Sequence, residues 1–90
     1  MEKIRLELNL RGKVQGVFFR SFLQEKAQQF NIAGSAKNEQ DGSLTVIIEG
    51  TKQKIDQFIP YLLQGPKYGE VYELTLKRAK SQNLEGFQIK

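Results

Sequence analysis

Aliphatic and polar side chains alternate along the first ten residues. The aliphatic positions are two residues apart: Ile4, Leu6, Leu8 and Leu10. A period of two residues predicts a strand that buries one face. Glycines interrupt the alternation between Gly12 and Gly16, so we expect the strand to end there and a loop to follow.

The apolar period changes after this loop. Apolar residues then recur at helical spacing: Phe19, Phe22, Leu23, Ala27 and Phe30. They predict an amphipathic helix from about Arg20 to Phe30. A second stripe with this spacing follows later: Ile55, Phe58, Ile59, Leu62 and Leu63. It predicts a helix that Thr51 caps and that ends near Gln64. Pro60 lies opposite this stripe, so we expect a kink on the solvent side, or else a break at Ile59.

The remaining apolar segments predict strands. Ser35–Asn38 is a short one, and Asp41-Gly42 after it predicts a hairpin turn, because glycine supplies the positive φ that a tight turn needs. Leu44–Glu49 is apolar and rich in β-branched residues, which is typical of a central strand. Two more strands are predicted towards the end of the chain: Val71–Arg78, with Tyr72, Leu74 and Leu76 on one face, and Phe87–Ile89.

This order of elements, β-α-β-β-α-β with a short extra C-terminal strand, predicts an α+β fold. Its two βαβ halves indicate a ferredoxin-like α/β sandwich, in which two helices cover one face of a mostly antiparallel sheet. The chain has 90 residues and no internal linker or repeat, so we expect one domain over residues 1–90. Unrelated functions occur on this fold, and the fold by itself indicates none of them.

The predicted topology brings two distant segments together. In this fold the first two strands run parallel with the third between them, so both strands end at the same edge of the sheet. Two strand spacings, roughly 10 Å, separate these ends. We therefore expect the loop of residues 12–20 and Asn38 to face one shared space.

The composition excludes several kinds of chemistry. The chain has no cysteine and no histidine, which rules out thiol nucleophiles, disulfides, thiolate zinc sites and imidazole acid–base catalysis. We predict neither a metal nor a cofactor. The net charge of +4 favours an anionic partner. No acidic residue occurs between Leu8 and Gln24, but taken alone this gap is better interpreted as chance in a mildly basic protein. No apolar run could span a bilayer and the first residues do not form a signal peptide, so we expect a cytoplasmic protein with no membrane partner.

The loop between the first strand and the first helix has features of an anion site. Gly12 and Gly16 permit backbone conformations that turn several N–H groups inward, close to the unpaired N–H groups and the positive dipole of a helix start. Such a loop can form a nest for anions, and the Arg20 guanidinium can hold two phosphate oxygens. From these residues alone, a glycine-containing turn beside a surface arginine is the stronger interpretation.

Two motifs resemble the signatures of the acylphosphatase family. The segment Gly12–Arg20, read as Gly-Lys-Val-Gln-Gly-Val-Phe-Phe-Arg, matches every fixed position of the family's phosphate loop. The segment Gly34–Gly50 is similar to a second signature that includes Asn38. It differs at Ser35, where an aromatic residue is usual, and at Leu44, where valine is usual. The order of elements is also similar over essentially the whole chain.

The resemblance implies a metal-free acylphosphatase, which hydrolyses the carboxyl–phosphate anhydride bond of a small acyl phosphate to carboxylate and inorganic phosphate. It implies that Arg20 binds the phosphoryl group, that Asn38 positions the attacking water, and that the substrate phosphate accepts the proton. It also implies a main-chain N–H cradle for a phosphate or sulfate anion: Gln15, Gly16, Val17, Phe18 and Phe19. Such a site needs no histidine, because carboxylate leaves readily and the protein has only to bind the dianion, spread its charge and hold water in line. We expect a monomer.

Two other functions fit the same scaffold. One is a non-catalytic phosphate-binding or regulatory module, because acylphosphatase-like domains also occur within larger proteins. The other is an RNA-binding domain, which the charge of +4 allows. Leu44–Glu49 has no aromatic residue on which a base could stack, so we predict no nucleic-acid partner. Taken in isolation, Asn38 is also compatible with a turn residue before Asp41-Gly42.

Overall fold

The computed structural model describes residues 2–90, which form five strands and two helices. In chain order these are β1 (Lys3–Lys13), α1 (Phe19–Phe30), β2 (Ala33–Asn38), β3 (Leu44–Thr51), α2 (Lys52–Gln64), β4 (Glu70–Ala79) and β5 (Phe87–Ile89). The strands lie in the order β4-β1-β3-β2-β5. All neighbouring strands pair antiparallel except β2 and β5, which pair in parallel. The predicted ferredoxin-like α+β fold is therefore confirmed.

The core lies between one face of the sheet and the two helices. The sheet contributes the alternating aliphatic positions of β1 and β3, and each helix contributes one stripe. The buried members from the two strands and two helices are Leu6, Leu8, Leu10, Leu44, Val46, Ile48, Phe19, Leu23, Ala27, Ile55, Phe58 and Leu62. Burial of these apolar side chains is the main force that holds the two layers together. No helix among residues 2–90 has the length and apolar character that a membrane crossing requires.

The first strand is longer than its alternation predicts. The expectation that Gly12 ends the strand is wrong, because β1 continues to Lys13 through a register shift between Arg11 and Gly12 opposite β4. Gly12 has a φ of 139°, and a Cβ there would lie 2.2 Å from the carbonyl oxygen of Glu70. Glycine thus allows the two strands to approach at a bulge, and the loop begins at Val14.

The second helix runs unbroken through its proline. Thr51 caps it as predicted, because its Oγ1 accepts a hydrogen bond of 3.4 Å from the N–H of Lys54. Pro60 lies inside the helix on the exposed side, and the helix continues to Gln64, so the alternative break at Ile59 is wrong.

A buried ion pair on the other face of the sheet holds the connection between β4 and β5. Glu49 of β3 accepts hydrogen bonds from Arg5 at 2.8 Å, from the main-chain N–H groups of Gln82 and Leu84 at 2.9 Å each, and from the Ser81 hydroxyl at 3.1 Å. The side chains of Arg5 and Glu49 are only 7% and 1% exposed. This cluster fixes the segment of residues 80–86, which carries the chain to β5 at the opposite edge of the sheet.

Candidate active site

The loop after β1 and the end of β2 border one cavity. Its volume is about 400 Å³, and its lining residues come from the loop, the start of α1, the end of β2 and β5: Val14, Gly16, Phe18, Phe19, Arg20, Ser21, Asn38 and Ile89. β1 and β2 both pair antiparallel with β3 between them, so the two are parallel and end at the same edge. The predicted shared space is therefore confirmed for Asn38 and for the part of residues 12–20 that lines the cavity.

The loop backbone takes a conformation that presents N–H groups. Gly16 has a φ of 72°, and Phe18 has φ 64° and ψ 29°, both in the left-handed region. A Cβ at Gly16 would meet nothing within 4 Å, so it is the backbone angle, and not a lack of space, that favours glycine there. None of the N–H groups of residues 15–20 donates to another main-chain group within residues 2–90. Successive free donors in such a turn make an anion-binding nest.

The first turn of α1 adds to this positive potential. Phe18 occupies the N-cap position without a side-chain cap, and the first turn contains no acidic residue. The exposed N–H groups at a helix start carry the positive end of the helix dipole. Ser21 donates through its hydroxyl to the carbonyl oxygen of Phe18 at 3.1 Å. Its hydroxyl therefore supports the helix start.

Phe19 anchors the start of the helix in the core. Its side chain is 1% exposed and meets the Phe22 ring edge to face, with 6.4 Å between ring centroids. A Cβ at Gly65 or Gly69 would lie 2.8 or 3.1 Å from the Phe19 ring. The loop after α2 thus closes tightly over this ring and fixes where α1 begins.

Arg20 is held by the residue that follows the last strand. Its Nη1 donates to the main-chain oxygen of Lys90 at 3.0 Å. Lys90 is itself fixed, because its N–H donates to the carbonyl oxygen of Ala36 at 2.9 Å. Gln24, one turn further along α1, donates to the carbonyl oxygen of Phe87 at 2.9 Å. No aspartate or glutamate side chain within residues 2–90 forms an ion pair with Arg20. The sequence gives no sign of the Lys90 contact beyond the prediction of a short strand.

The Gln15 side chain joins the loop to the β2–β3 turn. Its Nε2 donates to the carbonyl oxygens of Glu39 at 2.8 Å and Ser43 at 2.9 Å. Val17 turns its side chain towards the core. Of the residues predicted to bind phosphate, these two therefore do not line the cavity with side chains, and the role predicted for them concerns main-chain N–H groups only.

Asn38 is the last residue of β2 and pairs with Leu44. Its Oδ1 is buried and has no hydrogen-bond partner within residues 2–90. A buried acceptor without a partner costs about 1–3 kcal/mol, so this oxygen requires a hydrogen-bond donor from outside the protein, such as water or a ligand. An amide oxygen in this position can accept a hydrogen bond from a molecule inside the cavity.

Asp41 lies outside the cavity and shapes the turn that follows Asn38. It accepts a hydrogen bond from the Ser43 hydroxyl, one from the Ser43 N–H at 2.9 Å and one from Arg11 at 2.9 Å. These donors, the Ser43 hydroxyl foremost, lower the pKa of Asp41 to about 2. No group of three or more carboxylates within residues 2–90 could hold a metal ion.

Comparisons with known proteins converge on one family. The family model described as Acylphosphatase matches residues 6–89. A curated acylphosphatase of Thermus thermophilus is 35% identical over 85 residues, which cover 94% of this chain and 97% of that protein. The crystal structure of acylphosphatase from Bacillus subtilis superposes with a TM-score of 0.92 at 27% identity, covering 97% of this chain and 98% of that one. The crystal structure of T. kodakarensis HypF superposes with a TM-score of 0.84 at 26% identity, covering 97% of this chain but 12% of the other.

Proposed function

The chain belongs to the acylphosphatase family, and from this premise we propose that it hydrolyses acyl phosphates to carboxylate and inorganic phosphate. In this reaction water attacks the phosphorus, and the bond between phosphorus and the acyl oxygen breaks. The carboxylate leaves with the electron pair, and the water's proton passes to the phosphate. The cavity shared by the N–H loop, Arg20 and Asn38 is the observation that carries the proposal.

The loop and Arg20 supply the phosphate cradle. The N–H groups of residues 15–20 donate to no other main-chain group within residues 2–90, and they are available to phosphate oxygens. Arg20 uses one N–H on Lys90, which fixes the guanidinium plane and leaves its other donors to bind two phosphate oxygens. Donors fixed before the substrate arrives stabilise charge that builds up on the equatorial oxygens without having to reorganise.

Asn38 positions the attacking water. Its buried Oδ1 has no partner within residues 2–90 and can accept a hydrogen bond from that water. An amide is too weakly basic to remove the proton, so its contribution is orientation. The leaving group needs no general acid, because a carboxylate with a pKa of about 4 is stable in water at neutral pH.

Hydrolysis of benzoyl phosphate in the presence of EDTA tests these roles. We expect Arg20→Ala to abolish turnover and inhibition by inorganic phosphate. Asn38→Ala should lower kcat about 100-fold or more, because misplacing a reacting group by about 1 Å can cost 10²-fold, with inhibition by phosphate changed only a few-fold.

The exposed arginine Arg78 offers a matched control, because it lies on β4 away from the cavity. Arg78→Ala should retain normal turnover. Normal hydrolysis of benzoyl phosphate by Arg20→Ala would refute the proposal.

A non-catalytic phosphate-binding module is the second candidate. The match to HypF, in which the similar region is 12% of the chain, supports this alternative because it places the same fold within a larger protein. If the wild type bound inorganic phosphate but hydrolysed no acyl phosphate, the non-catalytic module would be favoured.

The proposal also includes five further properties that we predict from the sequence. These are a monomeric state, a cytoplasmic location, a single domain over residues 1–90, a phosphate or sulfate anion in the loop and no nucleic-acid partner. Sedimentation of the purified protein and an RNA-binding assay at low salt test the first and last of these.

A further inference from the structure

Two apolar side chains stand in solvent at the mouth of the cavity. Phe18, on the loop, is 81% exposed, and Ile89, on β5, is 40% exposed, and both line the cavity that holds Arg20 and Asn38. Exposed apolar groups beside a polar centre commonly mark a binding surface. Packing in the core therefore does not explain why these two side chains lie at the mouth of the cavity.

The backbone at Phe18 is held in an uncommon conformation. Its φ of 64° and ψ of 29° lie in the left-handed region, which bulky side chains rarely adopt. The carbonyl oxygen of Phe18 accepts hydrogen bonds of 3.1 Å from the N–H of Phe22 and from the Ser21 hydroxyl. The start of α1 therefore fixes the residue with its ring outside the core. Strain retained in this way is found at ligand sites.

The cavity has more room than one phosphoryl group needs. Its volume of about 400 Å³ is within the range of roughly 300–1,000 Å³ for clefts that hold a whole small molecule. Arg20 is the one formally charged residue in its lining. The remaining space is bordered by Val14, Phe18, Phe19 and Ile89, so a second charge on the substrate would find no counter-ion there.

We propose that Phe18 and Ile89 form an acyl-group subsite that selects acyl phosphates with uncharged, apolar acyl groups over small or charged ones. This inference rests on the proposed hydrolase function. The phosphoryl group fixes the reacting end in the cradle, while the acyl chain leaves the cavity between the Phe18 ring and the Ile89 side chain. Apolar contacts of this kind discriminate by about 10- to 200-fold for each methylene in a closed pocket. An open mouth should give values near the lower limit.

The test compares kcat/KM for benzoyl phosphate and acetyl phosphate in variants that preserve the backbone. Phe18→Asn removes the ring and keeps a residue type that tolerates the left-handed conformation. Ile89→Thr keeps a β-branched residue in the strand. We expect the benzoyl-to-acetyl ratio to fall about tenfold in Phe18→Asn, several-fold in Ile89→Thr and further in the double variant.

Two controls accompany these variants. Phe18→Tyr retains the ring and should keep the wild-type ratio. Tyr72→Thr removes an aromatic residue that is 64% exposed on β4, away from the cavity, and should leave both rates unchanged. The wild type should also hydrolyse 4-carboxybenzoyl phosphate at least tenfold less efficiently than benzoyl phosphate.

The outcomes separate this inference from the proposed function. If the wild type hydrolyses neither substrate, the hydrolase function itself fails, and the subsite fails with it. If the wild type is active but Phe18→Asn and the double variant keep its ratio, or lose both activities equally, the subsite is refuted and the hydrolase function stands. Equal rates on benzoyl and 4-carboxybenzoyl phosphate would likewise overturn the selection against charge.

Discussion

Replacing the buried Glu49 with glutamine should destabilise the protein in a pH-dependent way. Glu49→Gln keeps the shape and one acceptor oxygen of the side chain but removes its charge. It leaves the Arg5 guanidinium, whose side chain is 7% exposed, with Glu7 as its remaining carboxylate at 2.8 Å. The loss of one partner from a buried ion pair is costly because the other charge stays buried.

The magnitude follows from the pKa of Glu49. Burial raises this pKa, but hydrogen bonds from the main-chain N–H groups of Gln82 and Leu84, from Arg5 and from Ser81 more than offset burial. The pKa falls from 4.5 to about 2. At about 1.36 kcal/mol for each pKa unit, the charged form contributes about 3 kcal/mol to the free energy of unfolding.

The sign of the pH dependence follows from the same values. As the pH falls, the unfolded chain binds a proton at Glu49 before the folded protein does. The contribution of the charged side chain is therefore complete above about pH 4.5 and is lost as the pH falls towards 2. Glu49→Gln should be about 3 kcal/mol less stable than the wild type at pH 7, and the difference should shrink steadily below pH 4.5.

Urea unfolding at several pH values between 7 and 2.5 measures this difference. Glu25→Gln, an exposed change on α1, is the matched control and should stay within about 0.5 kcal/mol of the wild type. Equal unfolding midpoints for the wild type and Glu49→Gln at pH 7 would refute the reasoning. A difference that persists undiminished at pH 2.5 would also refute it, since it would then come from shape and not from charge.

Three further substitutions, one of them with a matched control, test the contacts in the loop and in the sheet. Gln15→Leu removes the hydrogen bonds to Glu39 and Ser43. We expect kcat for benzoyl phosphate to fall about tenfold and the free energy of unfolding, measured in urea, to fall by about 1–2 kcal/mol. An unchanged kcat would contradict this expectation. Gly34→Ala places a Cβ 1.8 Å from the carbonyl oxygen of Ile47 and should lower the free energy of unfolding by about 3 kcal/mol or more. Its control, Gly42→Ala, has nothing within 4 Å of the added Cβ and should lower it by about 1 kcal/mol. Equal losses in the two variants would show that the close approach at Gly34 is irrelevant. Ser35→Phe directs an aromatic ring towards a cavity of about 150 Å³ that Ser35 borders and should raise stability by about 1 kcal/mol; a lower thermal midpoint would show that the ring does not fit.

The sequence predicts the layout of this protein because its patterns are local. The alternation in β1 and the helical spacing from Phe19 to Phe30 identify the faces that become buried. Once the order of elements is known, the topology alone places the loop and Asn38 at one edge of the sheet. The convergence of Arg20 and Asn38 on one cavity could therefore be predicted from position along the chain.

Several features could not be predicted, because alternation identifies a face but not what covers it. Arg5 and Glu49 lie at polar positions of strands, where alternation predicts solvent exposure. They are buried because the segment of residues 80–86 crosses that face. The local pattern predicts that Gly12 ends β1, but Gly12 lies in a bulge of that strand. The bulge depends on the approach of Glu70 in β4, which the local pattern does not show.

The geometry of the candidate site depends on contacts between residues far apart in the chain. Arg20 is oriented by Lys90, seventy positions later. Lys90 follows β5, and β5 reaches β2 after the segment that Glu49 holds on the opposite face of the sheet. The turn that follows Asn38 is likewise joined to the loop by a distant residue, Gln15. The nine-residue motif contains the donors that we propose for phosphate, but the orientation of its arginine comes from the rest of the fold. The same motif without β5 would lack the contact that fixes Arg20.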